Sequence, residues 1–112
     1  MVNASKAKGT AAETAVVNYL KDSGWIHAER RSLSGANDRG DIAGVIGVVI
    51  EVKAEKSLKL SQWLKEAHTE QINDGADLGV VWHKKIGTTK PADWYVTMEG
   101  GTFAFLLKQA GY

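Results

Sequence analysis

The run Val48-Val49-Ile50-Glu51-Val52-Lys53 constrains the fold of this chain more than any other segment. Side chains alternate between faces along an extended strand. Glu51 and Lys53 therefore share one face, while Val48, Ile50 and Val52 share the other and point into a core. Ten residues before Glu51 stands Asp41, in Gly40-Asp41-Ile42. That offset suits one tight hairpin, so Asp41 to Val45 and Val48 to Lys53 are expected to form two strands joined around Ile46-Gly47. A β-branched face backed by a charged one marks a strand whose polar side has a task.

The flanking segments supply what such a strand needs to pack against. Residues 1–9 are small, polar and basic, and are expected to form a flexible arm, with residues 10–112 as a single domain. Thr10 is a candidate N-cap with Glu13 completing a capping box, and Ala12, Ala15, Val16, Tyr19 and Leu20 recur at helical spacing toward a stop at Gly24. Trp25 to Ala28 is expected to be a short strand or extended link. Residues 29–40 read as a polar, basic loop, the kind of segment that commonly carries function. A second helix is expected from an N-cap at Ser61, with a stripe of Leu60, Trp63, Leu64 and Ala67, ending near Gly75. Leu78 to His83 and Trp94 to Met98 read as strands, and Phe103, Leu106, Leu107 and Ala110 as a closing helix after a break at Gly100-Gly101. The expected order is α-β-β-β-α-β-β-α.

Composition narrows the possible chemistry. With no cysteine, disulfides and thiolate zinc sites are excluded. No apolar run reaches the roughly 18 residues of a membrane span, and the N-terminal residues lack a signal-peptide core, so a cytoplasmic location is expected. The formal net charge is +1, so a polyanion-binding role must rest on local clustering.

Asp41, Glu51 and Lys53 are the residue types that phosphodiester hydrolysis requires. Hard carboxylate oxygens hold Mg²⁺ while leaving coordination positions for water and phosphate. A neighbouring lysine can orient the water or neutralise charge in the transition state. The alternative for the same three residues is a salt bridge on an exposed sheet face.

These residues resemble the PD-(D/E)XK nuclease signature: Asp41, then Glu51-Val52-Lys53, with Gly40 where the motif's proline often stands. Lys8-Gly9-Thr10 leading into a helix with Glu13, then Arg30-Arg31 before the Ser34-Gly35 loop, is similar to the opening of archaeal-type Holliday junction resolvases. A later helix with Gln71, then Gly75 and Val80-Val81-Trp82, follows the same pattern. The likeness spans residues 8–98, and close relatives are expected among phage-encoded resolvases, which would place the protein in the host cytoplasm. The loop reading Ser34-Gly35-Ala36-Asn37-Asp38-Arg39-Gly40 is longer than the family's, so Ser34 matches loosely and Ser32 competes with it.

The resemblance implies a restriction-endonuclease-like α/β fold, a mixed twisted sheet flanked by helices. It implies a Mg²⁺-dependent endodeoxyribonuclease, with Mn²⁺ as an alternative metal. The implied metal ligands are Asp41, Glu51, the Val52 carbonyl and Glu13, with Lys53 as catalytic lysine and Gln71 as a polar residue facing the site. The implied substrate is branched DNA, above all a four-way junction cut by symmetric nicks. Two symmetric cuts by one small domain call for a C2 homodimer. Flap, single-stranded or linear DNA is the alternative substrate, and a non-catalytic DNA-binding module the alternative class.

Basic residues suited to phosphate contact are Lys6, Lys8, Arg30, Arg31 and Arg39, with Ser34 in the same loop, and Lys84 and Lys85 in a turn. For each cluster the alternative is a solvated surface. His27, His68 and His83 show no metal-ligand spacing and read as non-catalytic. Trp63 and Trp82 read as core, whereas Trp94 is the candidate for an exposed or dimer-facing role.

Overall fold

A computed structural model describes residues 4–31 and 38–112. The elements are helix α1 (Ala4–Asp22), strands β1 (Glu29–Arg30), β2 (Ile42–Ala43) and β3 (Val48–Lys53), helix α2 (Leu60–Asp74), strands β4 (Leu78–His83) and β5 (Tyr95–Thr97), and helix α3 (Gly100–Gln109). This is a mixed α/β fold whose helices and strands follow the expected order.

Strand β3 pairs in parallel with β4, and β4 pairs antiparallel with β5, giving the order β3-β4-β5. Parallel neighbours need a crossover, and α2 supplies it. Residues 49 to 52 of β3 are all buried, so the strand is covered on both faces. On one face Ile50 and Val52 join Ala12, Val16, Val17 and Leu20 of α1, together with Ile42, Leu78, Val80 and Trp94. Burial of each valine, leucine or isoleucine among them contributes roughly 1.5–3 kcal/mol. On the other, Trp63 and Ala67 of α2 pack with Val81. Helix α2 lies close to β4 because Gly79 is there: a Cβ at that position would stand 2.9 Å from the Ala67 carbonyl oxygen.

Several boundaries differ from the sequence reading. Helix α1 begins at Ala4, so residues 4–9 of the expected arm are helical. Alanine and lysine are good helix formers, and a single glycine is tolerated within a helix. Thr10 is accordingly inside α1, and its hydroxyl accepts a hydrogen bond from Arg30 Nη2 at 3.4 Å instead of capping. Residues 25–28 form a turn, with Ala28 N–H donating to the Trp25 carbonyl at 3.0 Å, and the strand follows at Glu29–Arg30. Helix α2 starts at Leu60, one residue before the expected cap. Helix α3 begins at Gly100 and so includes the expected break. Trp94 is buried, its Nε1 donating to the Thr88 carbonyl at 2.9 Å, which removes it as an exposed platform.

The expected hairpin is the largest correction. β2 pairs with β1, Arg30 opposite Ile42 and Glu29 opposite Ala43. Gly44 turns the chain toward β1 with φ of 92°, and there it presses against the His27 carbonyl, leaving no room for a Cβ. Between Asp41 and β3 one backbone hydrogen bond remains, from Asp41 N–H to the Ile50 carbonyl at 3.0 Å.

Candidate active site

That single rung places the Asp41 side chain. Its Oδ2 accepts a hydrogen bond from Val52 N–H at 2.7 Å, so the carboxylate occupies the free edge of β3 where another strand's carbonyl would otherwise sit. The N–H and C=O of one strand residue leave on the same side, so the Val52 carbonyl also faces Asp41, away from β4. Gly40, just before it, has φ of 96° and is closed in by Val49 Cγ1, 2.9 Å from where a Cβ would lie. Proline, with φ held near about −65°, has no place there. Glycine at the position where the motif's proline often stands is thus set by backbone geometry.

Glu51 and Lys53 project toward α2, as their alternation requires. Lys53 Nζ lies 2.8 Å from Glu66 Oε2 and 3.8 Å from Glu51 Oε1. Glu70, one turn beyond Glu66, is buried beside Glu51. One carboxylate oxygen from each of Asp38, Glu51 and Glu70 falls within 4.8 Å of the others. Asp38 is held by an Asx turn, its Oδ1 accepting from Gly40 N–H at 2.9 Å, while its carbonyl accepts from Asn73 Nδ2 at 2.9 Å. Glu13 approaches from α1, its Oε1 accepting from Arg30 Nε at 3.1 Å.

The electrostatics follow from crowding acids in a partly dry place. Burial, then the charge of Glu51, pushes the Asp41 carboxyl up to about 8. Burial, then the adjoining Glu70, pushes Glu51 up to about 9. Glu13 is raised by burial and by Asp41, and Glu70 by burial. Lys53 is raised despite its burial, because Glu66 and Glu51 favour the ammonium form. Among the described residues, the buried oxygens Glu51 Oε2 and Glu70 Oε2 find no hydrogen-bond partner. A buried, unpaired carboxylate oxygen is costly. Two on acids that cluster this closely are the environment a hard cation relieves, and oxygen donors of this type suit Mg²⁺ or Mn²⁺.

Of the residues singled out from sequence, Glu13, Asp41, Glu51 and Lys53 therefore come together. Gln71 does not join them. Its amide donates to the Asp77 carbonyl at 3.1 Å and the Ala76 carbonyl at 3.4 Å, tying down the end of α2. Glu70 holds the place in the site expected for Gln71. The signal was present in the spacing Trp63, Ala67, Glu70, which is i, i+4, i+7. Spacing alone is a weak signal there, because a glutamate is seldom buried. Asp38 and Glu66 were missed as well, since each is placed by contacts distant in sequence.

The basic candidates divide into three groups. Arg30 and Arg31 line a cleft of about 300 Å³ with Lys6, Gly9, Thr10, Glu13 and Asp41. Arg31 also approaches Asp74 at 3.9 Å, as does Arg39 at 3.7 Å. Lys8 lines a second cleft, of about 520 Å³, together with Lys53, Lys56 and Lys59. Lys84 and Lys85 lie over the rings of Trp94 and Tyr95, at 6.0 and 5.6 Å from the centroids, and line neither cleft. Ser32 and Ser34 lie outside the described residues. His83 is buried between Trp63 and Tyr95, with Nε2 2.7 Å from Thr97 Oγ1.

Fold and site together define an α/β domain that carries a carboxylate–lysine cluster at the free edge of its first parallel strand. Comparison with known family models, with curated proteins and with solved structures finds no match. No described helix is long and apolar enough to cross a membrane.

Proposed function

We propose that this chain is a Mg²⁺-dependent endodeoxyribonuclease of the PD-(D/E)XK type, acting on branched DNA as a Holliday junction resolvase. The observation that carries the reading is the convergence of Asp41, Glu51 and Lys53 around the Val52 backbone, with Glu13 reaching in from α1. Four residues selected from a linear motif and a separate helix meet at one place, on a strand otherwise given to the core.

The residues suit the metal that the resemblance implies. Asp41, Glu51 and the Val52 carbonyl would hold it, with Glu70 and Asp38 as further oxygen donors. When bound, Mg²⁺ supplies a Lewis acid for the phosphate and lowers the pKa of a coordinated water. The chain's own groups do the rest. Lys53, kept protonated by Glu66 and Glu51, offers an ammonium to the charge that builds on the phosphate oxygens. Glu13, its carboxyl raised by burial and by the charge of Asp41, lies in the same cleft, where it can exchange a proton with water. Arg30, anchored to Glu13 and Thr10, sets a guanidinium beside the same cleft for a flanking phosphate.

The branched substrate and the homodimer rest on the resemblance. Linear and single-stranded DNA are therefore the comparison substrates. The test is cleavage of an end-labelled four-way junction with Mg²⁺, beside linear duplex and single strand, for wild type and Glu51→Gln. Paired nicks near the crossover, abolished by the substitution and by EDTA, are expected. Metal-dependent cutting of the linear controls alone would keep the site and replace the substrate. Junction binding with no metal-dependent cleavage of any DNA would leave a binding module.

A further inference from the structure

Gly9 is a residue the fold does not ask for. It lies inside α1 with ordinary helical φ, and among the described residues a Cβ there would meet nothing within 4 Å. A glycine within a helix weakens it relative to alanine, and here neither packing nor backbone geometry offsets that loss. Its position is informative. The buried stripe of α1 runs back through Leu20, Val16 and Ala12, and one further step reaches Gly9. There the helix overhangs open space instead of core.

Two clefts share Gly9 as a wall. One holds Lys6, Arg30, Arg31, Glu13 and Asp41. The other holds Ser5, Lys8, Lys53, Lys56, Ser57 and Lys59, with Val52 in its lining. They adjoin where Val52 N–H donates to Asp41, so the candidate site lies at their junction. Four lysines against one glutamate, Glu55, which lies 3.9 Å from Lys59 Nζ, give the second cleft a net positive lining.

We propose that one DNA strand passes beneath α1 at Gly9, its phosphates running from the Arg30 side to a binding site formed by Lys8, Lys56 and Lys59. The missing side chain at Gly9 is the clearance that joins the two clefts. The inference rests on the nuclease reading for the place of the scissile phosphate, between Asp41 and Lys53. The alternation of basic cleft, acid–lysine cluster and basic cleft is what a backbone held on both sides of a cut requires.

Gly9→Leu is the decisive variant, because leucine favours helix and the site has room in the free protein. Binding of fluorescein-labelled DNA, in Ca²⁺ to prevent cutting, is read by anisotropy beside thermal melting. Gly9→Leu is expected to melt at or above wild type yet bind about tenfold more weakly. Lys56→Ala combined with Lys59→Ala is expected to lower the slope of log affinity against log salt by about 1.4, two phosphate contacts at roughly 0.7 each. Wild-type affinity in a well-folded Gly9→Leu chain would overturn the proposal. So would an unchanged salt slope in the lysine pair, which decides the matter if Gly9→Leu melts low. DNA binding with these effects but no cleavage in Mg²⁺ or Mn²⁺ would remove the nuclease reading and keep the path. Cleavage and binding unaffected by either variant would do the reverse.

Discussion

The two faces of β3 are built from one six-residue run and do opposite things. Toward α1, Ile50 and Val52 enter the larger apolar cluster, whose members come from both helical and strand segments. Toward α2, the apolar cluster is small, Trp63, Ala67 and Val81, and gives way to Glu51, Lys53, Glu66 and Glu70. The first face stabilises the strand well enough to tolerate the second, where acids with raised pKa values are held together at a cost. A rigid element that carries its functional groups on one side positions them better than a loop would.

Substitution on each face separates the two. Glu51→Gln is expected to cut Mg²⁺-dependent DNA cleavage by at least about 10²-fold, while raising the melting temperature of the metal-free protein, because it removes a group whose ionisation burial opposes. A lower metal-free melting temperature would mean that Glu51 is part of the structural face after all. Ile50→Ala, the adjacent residue on the other face, is expected to cost about 2–5 kcal/mol in urea unfolding and to leave cleavage per folded molecule nearly intact.

pH sharpens the comparison further. The carboxyls of Asp41 and Glu51 are raised in the folded state to about 8 and about 9. A group raised on folding contributes stability that is fully present below its unfolded pKa, near 3.8 for Asp41 and 4.5 for Glu51, and is lost as pH rises through the folded value. Melting of the EDTA-treated protein should therefore fall between about pH 4 and pH 9 on account of these two groups. Mg²⁺ competes with the protons, so its stabilising effect should grow over the same range and vanish in Glu51→Gln. A Mg²⁺ effect equal at pH 5 and pH 9 would contradict the site.

Smaller effects distinguish neighbours along α2. Glu70→Gln should weaken Mg²⁺ binding, followed by titration calorimetry, by about 10- to 100-fold, whereas Gln71→Ala should leave it unchanged and lose only about 0.5–1.5 kcal/mol of stability. Equal loss of metal affinity in both would restore Gln71 to the site. Glu66→Gln is expected to change stability by less than about 1 kcal/mol, since its carboxylate is more than a third exposed. It should also lower the pKa of Lys53, moving the alkaline limb of the cleavage profile to lower pH.

Some of this was legible in the chain itself. Strict alternation in VVIEVK was enough to put Glu51 and Lys53 on the face opposite Ile50 and Val52, and hydrophobic periodicity with glycine stops was enough to order the helices and strands. Both are short-range consequences of backbone geometry. The extent of α1 was not legible, because residues 1–9 are small, polar and basic and Thr10 has the look of a cap, whereas a helix with an anchored C-terminal half can extend back through such a segment and its one glycine. Nor was the partner of β2, which a positive-φ turn at Gly44 directs to β1. Asp38 and Glu66 were beyond reach because contacts distant in sequence place them. Sequence determined that Asp41, Glu51 and Lys53 would stand close to one another. Tertiary structure decided that the acid on the Trp63, Ala67, Glu70 stripe would be buried in the site while Gln71 would not, since helix rotation is set by how Trp63 and Ala67 seat against the sheet, and a rotation of one residue exchanges an acid for an amide.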